Sequence, residues 1–427
     1  EGANLGFTQR GRIEFALLGG RINTDAIDNS GGVDCSDHEV NIKIAFRGPL
    51  EESKVDRAGR DALLGEMSDE VSDLVLRDNY LQSQALTVEV ARTIANTDRY
   101  GRLMRLLERG GKLDRSIEQL PDDETLKERA SRGQGLTRPE LAILLAYSKI
   151  ALYEDLLGSD LPDDPLLETD LLRYFPKPLA ERYRDAVLAH PLRREIIATA
   201  VTNSMVNRVG PTFVSEMIER TGRSSTEIAR AYAVTRDIFG LRKLWLAVEA
   251  LDTRVPASVQ TEMLLEIGRL TDRCTRWFLR HVRQPLDMRE ATRAYKEGVT
   301  RVAARMDELL AEDDLMVLEH RIRTYAEKGA PRELARAVAV LDPLAGSCDI
   351  VRIAANTSRD VASVAAVHFR IGSRFGLDRL RLAVRSMPAE TEWDREATAA
   401  VLEELQDHQR ALTASVVGHT VAEQDAE

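Results

Sequence analysis

Residues 28–39 contain the densest set of side chains that could bind a ligand. Asp28 or Asn29 could cap a helix whose first turn is formed by residues 30–32, which include two glycines. Glycines at a helix N-terminus let an anion approach the backbone N–H groups, and the helix dipole favours negative charge there. Ser36 follows Gly32 by four residues and projects from the same face. The pattern predicts a carboxylate site, with a glycine-tolerant packed helix start as an equally weighted alternative.

Three neighbouring residues, Asp37, His38 and Glu39, are of types that bind metals or transfer protons. Adjacent positions on a helix point in different directions, so a solvated or salt-bridged face is the favoured interpretation. Cys35 lacks a base at helical spacing, and we expect a buried thiol rather than a nucleophile. The chain has only three scattered cysteines, and it lacks a Gly-x-Gly-x-x-Gly loop, a Walker loop and a His-Glu-x-x-His motif. No metal site is therefore predicted.

A second candidate is a stripe of five arginines at alternating spacings of four and three. It consists of Arg269, Arg273, Arg276, Arg280 and Arg283. This spacing places all five on one helical face, beside Trp277. An anion site, a subunit interface or ion pairing with acidic helices such as residues 308–314 would each use such a face. Because the chain as a whole is acidic, we favour ion pairing.

The elements that position these residues are predicted to be helices from residue 50 onward. Apolar residues recur there at spacings of three and four, as between Leu141 and Leu156. Residues 137–140 and 224–227 have the Ser/Thr-x-x-Glu pattern of a capping box. Residues 1–47 are instead rich in Gly and Asn with short apolar runs, which is typical of the end of an α/β domain.

A ten-residue pattern occurs twice, at residues 239–248 and 375–384, and both copies begin Phe-Gly-Leu. The pattern could be a binding elbow. We favour a packing role, in which the glycine ends one helix and the following leucines begin the apolar face of the next.

Composition excludes several classes of protein. The 427 residues include 59 Lys+Arg and 70 Asp+Glu, for a net charge of −11. Nucleic-acid binders normally present a basic surface, so no nucleic-acid partner is expected. No apolar run reaches the ~20 residues that cross a bilayer. We expect a reduced, cytoplasmic protein that does not bind membranes.

The opening residues 1–4, Glu-Gly-Ala-Asn, and residues 20–41 resemble the large NAD-specific glutamate dehydrogenases of bacteria. Residues 141–157, 194–211 and 229–251 continue the likeness, which covers essentially the whole chain as the C-terminal portion of such an enzyme. The resemblance implies oxidation of L-glutamate by NAD⁺ and water to 2-oxoglutarate, ammonium and NADH. It also implies a homo-oligomer.

The resemblance assigns roles to four residues. Asn4 is similar to the family's asparagine beside the nicotinamide and its ribose, and Asn29 to the one near the nicotinamide–substrate junction. Val33 would line the substrate pocket, and Ser36 would donate a hydrogen bond to the side-chain carboxylate of glutamate. The chain departs from the smaller enzymes at residues 5–8 and where they have aromatic residues after the serine.

The family's catalytic Lys and Asp and its nucleotide-binding loop are expected upstream, so this fragment should be inactive alone. The expected fold is mainly α. A short α/β remnant of a Rossmann-type dehydrogenase domain at residues 1–49 would precede a multi-helix C-terminal domain at 50–427, subdivided near 160–165 and 329–331. The alternative for the helical region is an oligomerisation or regulatory module without a direct catalytic role.

Overall fold

The computed structural model describes residues 6–29, 31–388 and 391–419. The chain divides into two compact units, with the division after Arg230. We call them unit 1 and unit 2, and each is described by itself. No helix of the described residues is long and apolar enough to cross a membrane.

Unit 1 consists of helices joined by short connections. Its α-helices are α1 (Gln9–Leu17), α2 (Asp25–Asp28), α3 (Val33–Ala45), α4 (Arg47–Glu51), α5 (Arg57–Thr93), α6 (Thr97–Arg109), α7 (Asp123–Ser131), α8 (Arg138–Leu157), α9 (Glu168–Tyr174), α10 (Lys177–Arg182), α11 (Arg184–Leu188), α12 (Arg193–Val209) and α13 (Phe213–Thr221). Short 3₁₀ helices lie at Ile94–Asn96, Leu161–Asp163 and Pro165–Leu167.

The division between the units falls within α14 (Ser225–Ile238). Unit 2 continues with α15 (Leu241–Glu249), α16 (Ala257–His281), α17 (Met288–Ala304), α18 (Met306–Leu309), α19 (Glu312–Glu327), α20 (Arg332–Ala339), α21 (Leu341–Leu344), α22 (Ser347–Thr357), α23 (Val361–Arg374), α24 (Leu377–Arg385) and α25 (Glu392–His419).

The mainly helical character predicted from the sequence is confirmed, and the described residues contain no strand. That statement includes residues 6–29 and 31–47, where an α/β texture was expected. Their apolar run at residues 13–18 lies mostly in α1 instead. The predicted breaks at residues 160–165 and 329–331 are helix boundaries, and each lies inside one unit.

The helix caps follow the local sequence closely. Thr137 and Glu140 form the predicted capping box of α8, in which the Glu140 carboxylate accepts hydrogen bonds from the Thr137 N–H and hydroxyl at 2.7 and 2.8 Å. Ser224 and Glu227 make the equivalent exchange before α14. These caps satisfy N–H groups that have no partner within the helix, which is why both predictions succeed.

The core of unit 1 is built around α5, α8 and α12, which pack pairwise, while α2 and α3 pack against α5. The apolar stripe predicted for α8 is confirmed, since Leu141, Leu144, Leu152 and Leu156 are all buried. Burying such a leucine stabilises the fold by about 1.5–3 kcal/mol. This rigid group of helices holds the residues of the candidate site.

The first Phe-Gly-Leu copy has the packing role that we favoured, whereas in the second copy Leu377 is buried but Phe375 and Leu380 are exposed. Gly240 and Gly376 adopt the left-handed backbone conformation, with φ of 62° at each, and directly precede α15 and α24. A side chain at either position would be strained in this conformation. Leu241 and Leu377 follow as buried residues.

Candidate functional site

The helix that carries the predicted substrate residues begins later than expected. Gly32 occupies the N-cap position of α3, where Asp28 or Asn29 was expected. Glycine loses more conformational entropy in a helix than residues with a Cβ, which is consistent with the chain remaining in a turn until Val33. Asp28 instead ends α2, and its carboxylate accepts a hydrogen bond from the Asn23 amide at 2.7 Å. The N-cap residue of α3 is thus a glycine, which has no side chain to cap the first turn.

One side of α3 lines a polar cavity of about 270 Å³ in unit 1. Its wall consists of charged and amide side chains from α2, α3, α5, α8 and α12, together with a few apolar groups. The lining residues are Ala26, Asn29, Val33, Asp34, Asp37, Asp78, Asn79, Gln82, Lys149, Asn203 and Asn207. A cavity with so many hydrogen-bonding groups suits a small polar ligand or an ion.

The residues predicted to bind substrate and cofactor occupy different places. Asn29 and Val33 lie in the wall of this cavity, and Val33 is 74% exposed. Ser36 is exposed on α3 and is not part of that wall. Asn4 lies outside the described residues. Val33 and Ser36 are three residues apart, so they share the exposed face of the first turns of α3.

The expectation of a solvated face is correct for Asp37 and Glu39 but wrong for His38. His38 is only 2% exposed, and its ring stacks on Tyr174 with the centroids 4.5 Å apart. Its position on α3 turns the ring inward, while Glu39 turns outward and pairs with Lys43. Cys35 is half-buried, so its thiol is less enclosed than we expected.

His38 belongs to a cluster that the sequence analysis did not identify. One potential ligand atom each from Asp34, His38 and Asp78 lies within 4.8 Å of the other two. Asp34 and His38 are four residues apart, and this i, i+4 spacing was a signal that could have been used. Asp78 comes from α5, and only the packing of α5 against α3 brings it here.

Burial and like charge perturb the acidic groups of this cluster. Burial, reinforced by the charges of Asp78 and Asp37, raises the pKa of Asp34 to about 7. Burial also raises the pKa of Asp78, although Lys149 and Arg77 oppose the change. Repulsion therefore adds to burial in favouring the uncharged form of Asp34, whereas burial alone favours it at Asp78.

The basic groups beside the cluster are perturbed in the complementary direction. Burial lowers the pKa of Lys149 to about 8, against the opposing influence of Asp78. Burial likewise lowers the pKa of His38, and Asp37 opposes that change. Lys149 donates a hydrogen bond to the Gln82 side chain at 3.1 Å. Near neutral pH the site therefore contains groups that gain and lose protons readily.

Neighbouring hydrogen bonds hold the His38 ring in place. Asn41 donates to the Tyr174 hydroxyl at 2.8 Å, and Tyr174 stacks on the ring. His190 contacts the Asn41 carbonyl oxygen through Nε2 at 3.1 Å, while its Nδ1 accepts from the Leu192 N–H. His190 therefore donates from Nε2, and the chain of contacts fixes the Tyr174 ring against His38.

The arginine stripe lies in unit 2, and four of its members pair with carboxylates of that unit. The pairs are Arg269–Glu266, Arg273–Asp342, Arg276 with Asp272 and Glu403, and Arg280–Glu403. The ion-pairing interpretation is thus confirmed for these four. Residues 308–314 were the wrong partners, since Glu308 pairs with Arg305. Arg283 lies beyond the end of α16, so it does not share that face.

Comparisons with known sequences place this chain among the dehydrogenases of amino acids. The family model described as "Glutamate dehydrogenase, C-terminal" matches residues 133–427, and "Bacterial NAD-glutamate dehydrogenase, catalytic domain" matches residues 1–89. The first of these models matches more than half of the chain, which therefore belongs to the glutamate dehydrogenase C-terminal family. The resemblance inferred from residues 1–41 is confirmed.

Individual relatives agree with the family match. Over 98% of this chain, proteins named NAD-specific glutamate dehydrogenase are 43% identical in Pseudomonas aeruginosa, 40% in Halomonas elongata and 36% in Mycobacterium tuberculosis. The chain spans about a quarter of their length, since 26% of each relative is covered.

Proposed function

We propose that this chain is the C-terminal part of an NAD-specific glutamate dehydrogenase. The complete protein would convert L-glutamate, NAD⁺ and water to 2-oxoglutarate, ammonium and NADH. One observation carries the proposal: relatives with that name match 98% of the chain at up to 43% identity.

The chain's contribution to this reaction would be to bind and orient glutamate through α3. Ser36 would donate a hydrogen bond to the side-chain carboxylate, and Val33 would contact the carbon chain. The first turn of α3 supports an anionic ligand here, because its N–H groups lack intrahelical acceptors and its N-cap residue, Gly32, has no side chain. Asn29, in the cavity wall, would lie at the junction of substrate and nicotinamide, and Asn4 beside the nicotinamide ribose.

NAD⁺ supplies the hydride acceptor, and its binding loop would lie in another part of the protein. The amide of Asn29 and the small side chain of Val33 fit a substrate-facing surface of that cofactor site. Oxidation at Cα gives an imine that water hydrolyses to the keto acid and ammonium. Residues 1–49 would be the end of the dinucleotide-binding catalytic domain, with its α/β portion elsewhere, and residues 50–427 the helical domain. The cytoplasm is the proposed compartment.

The direct test is an assay of the complete protein for NADH formation. With L-glutamate and NAD⁺ we expect NADH and 2-oxoglutarate in equal amounts, and little product with L-aspartate or with NADP⁺. The chain of residues 1–427 should give no glutamate-dependent NADH. A complete protein inactive on glutamate but active on another amino acid would contradict the proposed substrate.

Exposed apolar side chains in unit 2 favour a second role, assembly of a homo-oligomer. Phe375, Leu382 and Trp393 are 60%, 68% and 83% exposed, which costs solvation free energy unless a partner covers them. We expect the native mass of the complete protein to be a multiple of the chain mass, and Leu382→Lys to lower it. Leu18→Lys, at an exposed leucine of unit 1, is the matched control. An unchanged native mass in the Leu382 variant would show that Leu382 is not part of a subunit interface.

A further inference from the structure

We propose that Asp34, His38 and Asp78 bind one divalent transition-metal ion of the zinc class, which links α3 to α5. This site goes beyond the proposed dehydrogenase function, and its test does not depend on activity.

The spacing of the three side chains suits one ion. Their candidate ligand atoms lie within 4.8 Å of one another. Nitrogen and oxygen ligands bind zinc at about 2.0–2.2 Å, so pairs of ligands around one ion are roughly 3–4 Å apart. Small rotations of the two aspartate side chains close the difference. Asp34 and His38 are on consecutive turns of α3, which is the arrangement that presents two ligands to one point.

An unpartnered buried atom points independently to a ligand at this place. The Nδ1 atom of His38 is buried and has no hydrogen-bond partner, although the ring is only 2% exposed. Buried polar groups are nearly always satisfied, so such an atom requires an explanation. The Oδ1 atom of Asn207, in the wall of the same cavity, is also buried without a partner. A metal ion and its bound water would satisfy both groups.

Ring stacking restrains the imidazole of His38. Tyr174 stacks on the ring at 4.5 Å with 18° between the planes, and Asn41 fixes the Tyr174 hydroxyl. Groups behind the ligands orient them and raise metal affinity. His38 is therefore restrained by its surroundings before any ion binds.

The charge balance of the cavity also favours a cation. Asp34, Asp37 and Asp78 contribute three carboxylates to the wall, and Lys149 is its one cationic side chain. Lys149 donates to the neutral Gln82. A divalent ion would supply the missing positive charge between Asp34 and Asp78.

The ligand types indicate the class of metal. One imidazole with two carboxylates suits Zn²⁺, Mn²⁺ or Fe²⁺, whereas Mg²⁺ and Ca²⁺ prefer oxygen ligands alone. A bound ion would fix α3 on α5 and so hold the turns that carry Val33 and Ser36. Asp34 and Asp78 are in the wall of the cavity, from which water or a ligand could reach the ion.

The test is titration of the metal-stripped protein with ZnCl₂, followed by calorimetry. We expect one Zn²⁺ per chain in the unmodified protein and in Glu39→Gln, a control on the outward face of α3. Asp78→Asn preserves the shape of the side chain and should weaken Zn²⁺ binding at least ~tenfold. Changes to the groups around a bound metal typically reduce its affinity by about ten- to a hundred-fold. His38→Gln should have the same effect, and circular dichroism checks that each variant is folded.

Three results would overturn the site. They are the absence of stoichiometric binding to the unmodified protein, unchanged affinity in both Asp78→Asn and His38→Gln, and loss of binding in Cys35→Ser but not in Asp78→Asn. The last would assign the ion to the half-buried thiol. Co²⁺ provides a second readout, because its visible absorption should appear with the unmodified protein and decrease in the Asp78 variant.

Discussion

In unit 2 the arginines of α16 meet carboxylates, whereas in unit 1 the carboxylates of α3 and α5 meet each other. Arg276 lies between Asp272 and Glu403, and its side chain is 11% exposed. Asp34 lies close to Asp78 beside an open cavity. Both groups of charges are partly removed from water. The arginines of the first group form ion pairs, whereas the carboxylates of the second lie close to each other and are only offset by Lys149 and Arg77.

This difference separates charges that maintain the fold from charges that are available to a ligand. A buried charge costs free energy unless it is paired, so a buried arginine such as Arg276 is stabilising only together with its carboxylate partners. The acidic cluster instead keeps an electrostatic cost, which binding of a cation would relieve. Among the described residues, the acidic cluster combines carboxylates without ion pairs, buried atoms without hydrogen-bond partners and a neighbouring cavity. It is therefore the stronger functional candidate.

Removing one arginine from the paired set should have the largest effect on stability. Arg276→Ala leaves Asp272 and Glu403 without this partner, and we expect unit 2 to lose about 3 kcal/mol. Arg269→Ala is the control, because Arg269 is 59% exposed and such a pair contributes less than about 1 kcal/mol. Tryptophan fluorescence during urea unfolding measures unit 2 alone, since Trp245, Trp277 and Trp393 all lie there. Equal losses of stability in the two variants would contradict the distinction between buried and exposed arginines.

Removing one carboxylate from the unpaired set should act in the opposite direction. In metal-free protein, Asp34→Asn relieves repulsion with Asp78 and should stabilise unit 1 by about 1 kcal/mol. Hydrogen exchange of the α3 and α5 amides measures this change locally. Adding Zn²⁺ should protect these amides in the unmodified protein and much less in the variant. A destabilised Asp34→Asn protein would show that other groups of the fold already compensate the repulsion between Asp34 and Asp78.

The ion pairs of the arginine stripe should also make the stability of unit 2 decrease at low pH. Burial raises the pKa of Asp342, but Arg273 and Arg385 outweigh burial and hold it below the ordinary 3.8. A lowered folded-state pKa contributes stability above the unfolded pKa, and that stability is lost as pH falls through the folded pKa. We therefore expect the urea concentration at which unit 2 is half unfolded to decrease as the pH is lowered below about 4. In Asp342→Asn this part of the pH dependence should be absent, and an unchanged profile would contradict the assignment.

Local signals predicted much of the fold. The caps at Thr137 and Ser224 and the apolar stripe of α8 depend on residues within one or two turns, so the sequence pattern was sufficient. The sequence predicts the start of α3 at residue 30 rather than at Val33, because that prediction neglects the entropic cost of two glycines in a helix. The resemblance carried by residues 1–4 and 20–41 predicted the family.

Contacts between distant segments could not be predicted in the same way. The spacing of the arginines gave their common face, but Asp342 and Glu403 became their partners only through helix packing. Asp78 is similarly remote from Asp34 in sequence, and its approach depends on how α5 crosses α3. The inward turn of His38 follows from the same packing.

The most direct test of the account is the kinetic role of Ser36 in the complete enzyme. Ser36→Ala should reduce kcat/KM for glutamate by about ten- to a hundred-fold, as expected when a hydrogen bond to a charged group is lost. Ser68→Ala is the control, because Ser68 is exposed on α5 and its hydroxyl donates within its own helix. A loss in Ser36→Ala alone, with NAD⁺ affinity unchanged, is the result we predict. Unchanged kinetics in Ser36→Ala would contradict the assignment of α3 to substrate binding.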